Sequence, residues 1–306
     1  MSQLLPNGGW DVHHHIFEPE RFPYDPNRHL TPPPATINAY NEFKHQLGIS
    51  HSVLTHGLSY GADSTCLTTF IADLCRDNTR GIAVIDPETV TPAQLREMQI
   101  NGIRGIRVNI YRYSAMHDVE LQKQILRKHA QVLSGRCTGW SMAFTHTHPE
   151  FWPDLKPIIA QEIVPRGIRL VTDHFALLKG ASMLPAECQG DVSQQIGFHE
   201  LMDLVREGHL YVKISAPYRV SSKAPDYADL KPLVRALFDA NPRQLLWGSD
   251  WPHTPLMKVR TKEEALQETP FLEIDDRAWL KSLRSWLADS EWHSLMVLNP
   301  QRLYDW

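Results

Sequence analysis

Short, nearly continuous apolar runs alternate along the chain with longer amphipathic stretches. The runs fall at residues 10–16, 51–56, 81–86, 103–110, 140–146, 168–174, 210–215 and 245–250, and such runs read as strands buried on both faces. Between them apolar residues recur at three- and four-residue spacing, as Leu67, Phe70, Ile71 and Leu74 do in residues 64–77, which predicts helices. Pro92–Ile100 opens on a proline, suited to a first helical turn. Residues 120–133, 151–161, 198–207, 227–240 and 276–287 repeat the helical spacing. Eight strand signals separated by helix signals predict a (β/α)8 TIM barrel. An open doubly wound sheet would carry a glycine-rich phosphate turn after its first strand, and Phe17-Glu18-Pro19-Glu20 stands there instead. Residues 17–49, with Pro32-Pro33-Pro34, read as a long loop over one mouth of the barrel. No repeat or linker divides the chain, so residues 1–306 read as one domain.

Composition narrows the function classes. Lys plus Arg number 31 against 35 Asp plus Glu, for a net charge of −4, which argues against a nucleic-acid partner and for a small-molecule substrate. No apolar window of about 18 residues suits a membrane. Met1 to Trp10 holds neither a basic segment nor an apolar one of the secretory kind, so a cytoplasmic location is expected. Cys66, Cys75, Cys137 and Cys188 form no C-x-x-C pair and read as reduced thiols. Sixteen histidines and nine tryptophans hint at a site built on imidazoles and aromatic walls.

Three motifs carry chemistry. In Asp11-Val12-His13-His14-His15, strand alternation puts His13 and His15 on one face and His14 on the other. Two imidazoles buried together are costly without partners. Val171-Thr172-Asp173-His174 ends the sixth run, and Trp247-Gly248-Ser249-Asp250-Trp251-Pro252-His253 ends the eighth. The bland alternative for Asp250 is a helix N-cap. In a barrel all strand ends meet on one face, so His13, His15, His174 and Asp250 are expected to converge. They could hold a divalent metal that activates water. Alternatively, Asp250 is a general base while the imidazoles polarise a carbonyl.

These motifs resemble the amidohydrolase superfamily, in its amidohydrolase-related branch, and more narrowly the 2-pyrone-4,6-dicarboxylate lactonases. The shared residues are D-x-H-x-H at 11–15, Asp173-His174, residues 80–87 and 105–109, Trp247 to His253, and the tail Asn299 to Tyr304. The resemblance implies a distorted TIM barrel that hydrolyses a C–O or C–N bond beside a carbonyl. It implies Asp250 as the base, with His13, His15 and His174 as polarisers, and no required metal. The alternative is one Zn2+ or Mn2+ on those four residues. The carbamylated lysine of binuclear members would stand on strand 4, where this chain has Arg107 and Asn109, and Lys213 lies on strand 7 instead.

The lactonases grip carboxylates with arginines. Arg107 and Arg219 match two of them; a third position falls near Tyr113, beside Arg112, and a fourth falls on Leu177. Leucine there removes a bidentate clamp and adds apolar wall, which points to a substrate with at most one carboxylate. Tyr218, Ser59, His56, His146 and His253 lie on the same expected rim and are further substrate contacts. His146 and His148 read either as loop histidines beside Pro149 or as a proton carrier. The leading reading is a lactone or ester hydrolase; a metal-dependent decarboxylase of an aromatic or unsaturated acid is the alternative. Oligomeric state, a homodimer included, is left open.

Overall fold

The computed structural model describes residues 4–144, 147–256, 258 and 260–304. Eight parallel strands follow one another in one sheet: β1 (Trp10–His14), β2 (His51–Thr55), β3 (Thr79–Ala83), β4 (Ile103–Val108), β5 (Ser141–Phe144), β6 (Arg169–Thr172), β7 (Leu210–Ile214) and β8 (Leu245–Trp247). The strands are buried almost throughout, as their apolar runs require. The helices are α1 (Ile37–Leu47), α2 (Thr65–Asp73), α3 (Pro92–Ile100), α4 (Val119–Leu133), α5 (Trp152–Ile158), α6 (Phe198–Arg206), α7 (Lys231–Ala240), α8 (Lys262–Leu266), α9 (Asp276–Ser285), α10 (Asp289–His293) and α11 (Asn299–Tyr304). This is the expected (β/α)8 barrel. Strands β6 and β8 end earlier than their apolar runs, so His174 and Asp250 sit on the turns beyond them.

Helix ends follow capping chemistry. Pro92 opens α3 inside a capping box of Thr91 and Gln94, and Asp118 caps α4 through the Leu121 amide. Each such cap contributes about 1 kcal/mol. One expectation fails: residues 17–49 are not all loop, since α1 occupies their second half. It carries only two fully buried residues, Tyr40 and Leu47, too few to mark a helical face.

The barrel interior packs Val12, Val53, Ile82, Ala143, Val171 and Leu246, closed below by Leu303 and Tyr304 of α11. The register of β1 on β2 slips between Asp11 and His14, as at a bulge. Val12 therefore packs inside, while Asp11 and His14 both meet Tyr40, by a 3.1 Å hydrogen bond and a 3.7 Å ring stack. The seam between β8 and β1 closes beyond the last strand. The Asp250 amide donates to the His13 carbonyl at 2.8 Å, and the His15 amide to Trp251 at 2.9 Å.

Candidate active site

Gly248 lets this seam close: a Cβ there would lie 2.6 Å from that of His13. Asp11 then pins it. Its carboxylate accepts from the Ser249 amide at 2.9 Å, the Ser249 hydroxyl at 2.6 Å and the His13 amide at 3.1 Å. Burial raises the Asp11 pKa to about 6 against these bonds. Asp250 follows in the left-handed region, at φ 62°. His174 to Leu177 are also left-handed, with φ from 53° to 59°, at about 1–2 kcal/mol per residue. Such strain clusters at functional sites, and here it turns His174 towards Asp250.

The two oxygens of Asp250 differ. Oδ2 accepts from the Tyr218 hydroxyl at 2.6 Å and from Arg219 at 2.9 and 3.3 Å. Oδ1 faces Nε2 of His13 at 3.4 Å, and of His15 and His174 at 3.9 Å each. The four residues expected to converge therefore do. Burial pushes the Asp250 pKa up, but Arg219 and the three rings outweigh it and hold the carboxyl well below the usual range. Burial lowers both His15 and His174 to about 4, so both rings are neutral near pH 7. His15 gives Nδ1–H to the Thr55 carbonyl at 2.7 Å, which leaves a lone pair on Nε2. His15 is thus wired as an acceptor, and the expectation that it polarises a carbonyl fails as long as it stays neutral.

Beneath Asp250 lies a pairing that strand spacing could not reveal. Lys213 of β7, wholly buried, reaches Asp173 Oδ1 at 3.0 Å and His13 Nδ1 at 3.1 Å. Above Asp250 is a cavity that opens to solvent, lined in part by His15, Ser59, Arg107, His174, Arg219 and Asp250.

Several expected substrate contacts are placed elsewhere. Arg219 lines the cavity, but its guanidinium is already spent on Asp250 and the Thr254 carbonyl. Tyr218 braces Asp250. His56 Nδ1 accepts from the Val84 amide at 3.1 Å, and only its carbonyl meets Arg107. His253 binds Asp276 of α9 at 2.9 Å and does not line the cavity. Leu177 and Leu178 do not line it either, Leu178 being in the core. His148 pairs with His117 at 2.9 Å near the surface; His146 lies outside the described residues. Two titratable lining residues were missed, His29 and Arg260. They come from the segments after β1 and β8, which Thr31 ties together through Ala265 at 2.7 Å and Thr269 at 2.9 Å. Among the described residues, neither Arg107 nor Arg260 forms an ion pair.

His13, His174 and Asp250 each place a ligand atom within 4.8 Å of the others, and by distance alone they suit one divalent cation. Hydrogen-bond chemistry opposes it. Nδ1 of His13 meets both Lys213 at 3.1 Å and Asp173 at 3.3 Å. An ammonium offers no lone pair, so a ring that accepts from Lys213 carries its proton on Nε2, where a cation needs a lone pair. In that tautomer the three do not fit the ion.

The chain is 28% identical to 4-sulfomuconolactone hydrolase of Rhizobium radiobacter, over 99% of this chain and 92% of that one. It is 25% identical to 2-pyrone-4,6-dicarboxylate hydrolase of Comamonas testosteroni, over 98% and 91%. An apo crystal structure from Agrobacterium tumefaciens shares the fold at TM-score 0.75, with 22% identity over 99% of this chain and 97% of its own. No described helix is long and apolar enough to cross a membrane. A family model described as Amidohydrolase matches residues 10–306, and the chain belongs to that enzyme family.

Proposed function

We propose that this enzyme hydrolyses a lactone bearing an anionic substituent, with Asp250 as general base and no required metal. The observation that carries the reading is the split carboxylate of Asp250. Three donors saturate Oδ2, while Oδ1 faces the lone pair of His15 across 3.9 Å. Two acceptors so spaced suit a water that donates one hydrogen to each. The water oxygen attacks the lactone carbonyl as Asp250 Oδ1 takes its proton. The tetrahedral oxyanion faces the cationic side of the cavity, at Arg107. The ring C–O bond then breaks, and Asp250 returns the proton to the leaving oxygen. A carboxyl held this low is always ionised but weakly basic, so catalysis leans on orientation as much as on proton affinity.

Arg107 and Arg260, without carboxylate partners, support an anionic substituent. The names of the two relatives, one sulfonated and one a dicarboxylate, agree with that charge. The earlier limit of one carboxylate rested on Leu177, which is not in the cavity wall, and Arg260 supplies a further positive charge. The test compares kcat/KM for carboxylated, sulfonated and neutral lactones, with and without chelator. The anionic lactones are expected to win by at least about tenfold, roughly 1.4 kcal/mol. A neutral winner removes the anion from the reading. Turnover of no lactone, with CO2 released from an aromatic acid, establishes the decarboxylase instead.

A further inference from the structure

A lysine buried in a barrel needs compensation, and Lys213 has it from two sides. Nζ lies 3.0 Å from Asp173 Oδ1 and 3.1 Å from Nδ1 of His13. Nδ1 of His13 is also 3.3 Å from the same Asp173 oxygen. It therefore faces a donor and an acceptor and can satisfy one of them. If Nδ1 carried the hydrogen for Asp173, that hydrogen would be pressed against the ammonium. If Nδ1 accepts from Lys213, the shorter of its two contacts joins the ammonium to a lone pair, and Asp173 keeps its bond to the lysine. The second wiring prevails, because the ammonium can only donate while a neutral imidazole can place its hydrogen on either nitrogen.

We propose that Lys213, anchored by Asp173, is a positioning residue that holds the proton of His13 on Nε2, so that the ring offers Asp250 a donor in place of a metal-binding lone pair. Nε2 is buried, has no hydrogen-bond partner among the described residues and stands 3.4 Å from Oδ1. The proton therefore points at the oxygen that acts as base. Where it sits does not depend on which substrate the cavity takes. Removal of the ammonium frees Nδ1 to donate to Asp173. The Nε2 lone pair then joins His174 and Asp250, whose ligand atoms already lie within 4.8 Å of it.

The first experiment needs no variant in the measured protein. Nitrogen-15 NMR of the histidine-labelled enzyme, with His13→Gln to assign the signal, is expected to show a protonated Nε2 and an unprotonated Nδ1 on His13. The opposite tautomer overturns the proposal. The second is calorimetric titration of zinc into metal-free protein near neutral pH. Lys213→Met is expected to bind zinc about 10–100-fold more tightly than wild type, the usual range for a partner that sets a ligand's tautomer. Because that variant strands the Asp173 charge, Lys213→Met with Asp173→Asn provides a neutral companion with the same expected gain, and Lys213→Arg should restore the wild-type affinity and tautomer. Unchanged zinc affinity in a folded methionine variant also overturns the proposal. Should neither fold, the wild-type spectrum decides.

Discussion

The floor and the roof of the cavity are built in opposite ways. The floor comes from strand ends: Asp11, His13, Asp173, Lys213 and Asp250 are almost wholly buried, and charges there are matched at 3.0 and 2.9 Å, by Lys213 on Asp173 and Arg219 on Asp250. The roof comes from two long segments tied through Thr31, and its cation Arg260 has no carboxylate partner among the described residues. Matched buried charge fixes geometry, since breaking one partner is costly. Unmatched charge at a cavity mouth is available to a ligand. The proposed mechanism thus assigns chemistry to the floor and selectivity to the roof.

The largest effect should come from the floor. Asp250→Asn is expected to lower kcat by about 10²–10⁴-fold, the range for loss of a general base, with little change in KM. A variant with near-normal turnover would place the base elsewhere and end the division of labour.

Next in size is acid sensitivity. Burial holds His15, His56 and His174 near 4 in the folded chain, against 6.5 ordinarily. The unfolded chain therefore binds more protons between those values, and stability is lost as pH falls from about 6.5 to 4, by roughly 3 kcal/mol per ring. Asp11, raised to about 6 by burial, works in the other direction over part of that window and offsets about one ring. A Tm series across this range should fall steeply, and less so for His56→Gln; a flat series contradicts the buried-neutral floor.

The smallest effect belongs to the roof. Arg260→Gln should raise KM for an anionic lactone by about tenfold, or 1.4 kcal/mol, and leave kcat and neutral lactones alone. Equal losses on charged and neutral substrates would show that the roof does not read charge.

What was legible from sequence follows this same division. His13, His15, His174 and Asp250 end apolar runs, and strand ends of a barrel must meet, so their convergence could be read without knowing any contact. Strict alternation was too simple, however, because the register slip between Asp11 and His14 puts neighbours where a period of two would not. Lys213 and Asp173 are each visible in their runs, but nothing in linear spacing says that they touch. Arg219 was assigned to the substrate because an arginine on the rim cannot be told from one already paired. His29 and Arg260 lie in segments without periodicity, which carry no signal for which side chains turn inward.

The seam between β8 and β1 also orders events in time. Ser249 bonds Asp11 across 238 residues of chain, and the Asp250 amide bonds His13 across the same seam. Barrel closure and the meeting of Asp250 with its histidines are therefore one event. A ribosome releasing this chain has made His13 and His15 early, yet they gain their carboxylate only when the eighth strand has emerged and docked. No shorter nascent chain has a site to misuse. In refolding, recovered activity serves as a clock for a contact between the first strand and the last, and it should lag behind every signal that reports local helix or strand formation.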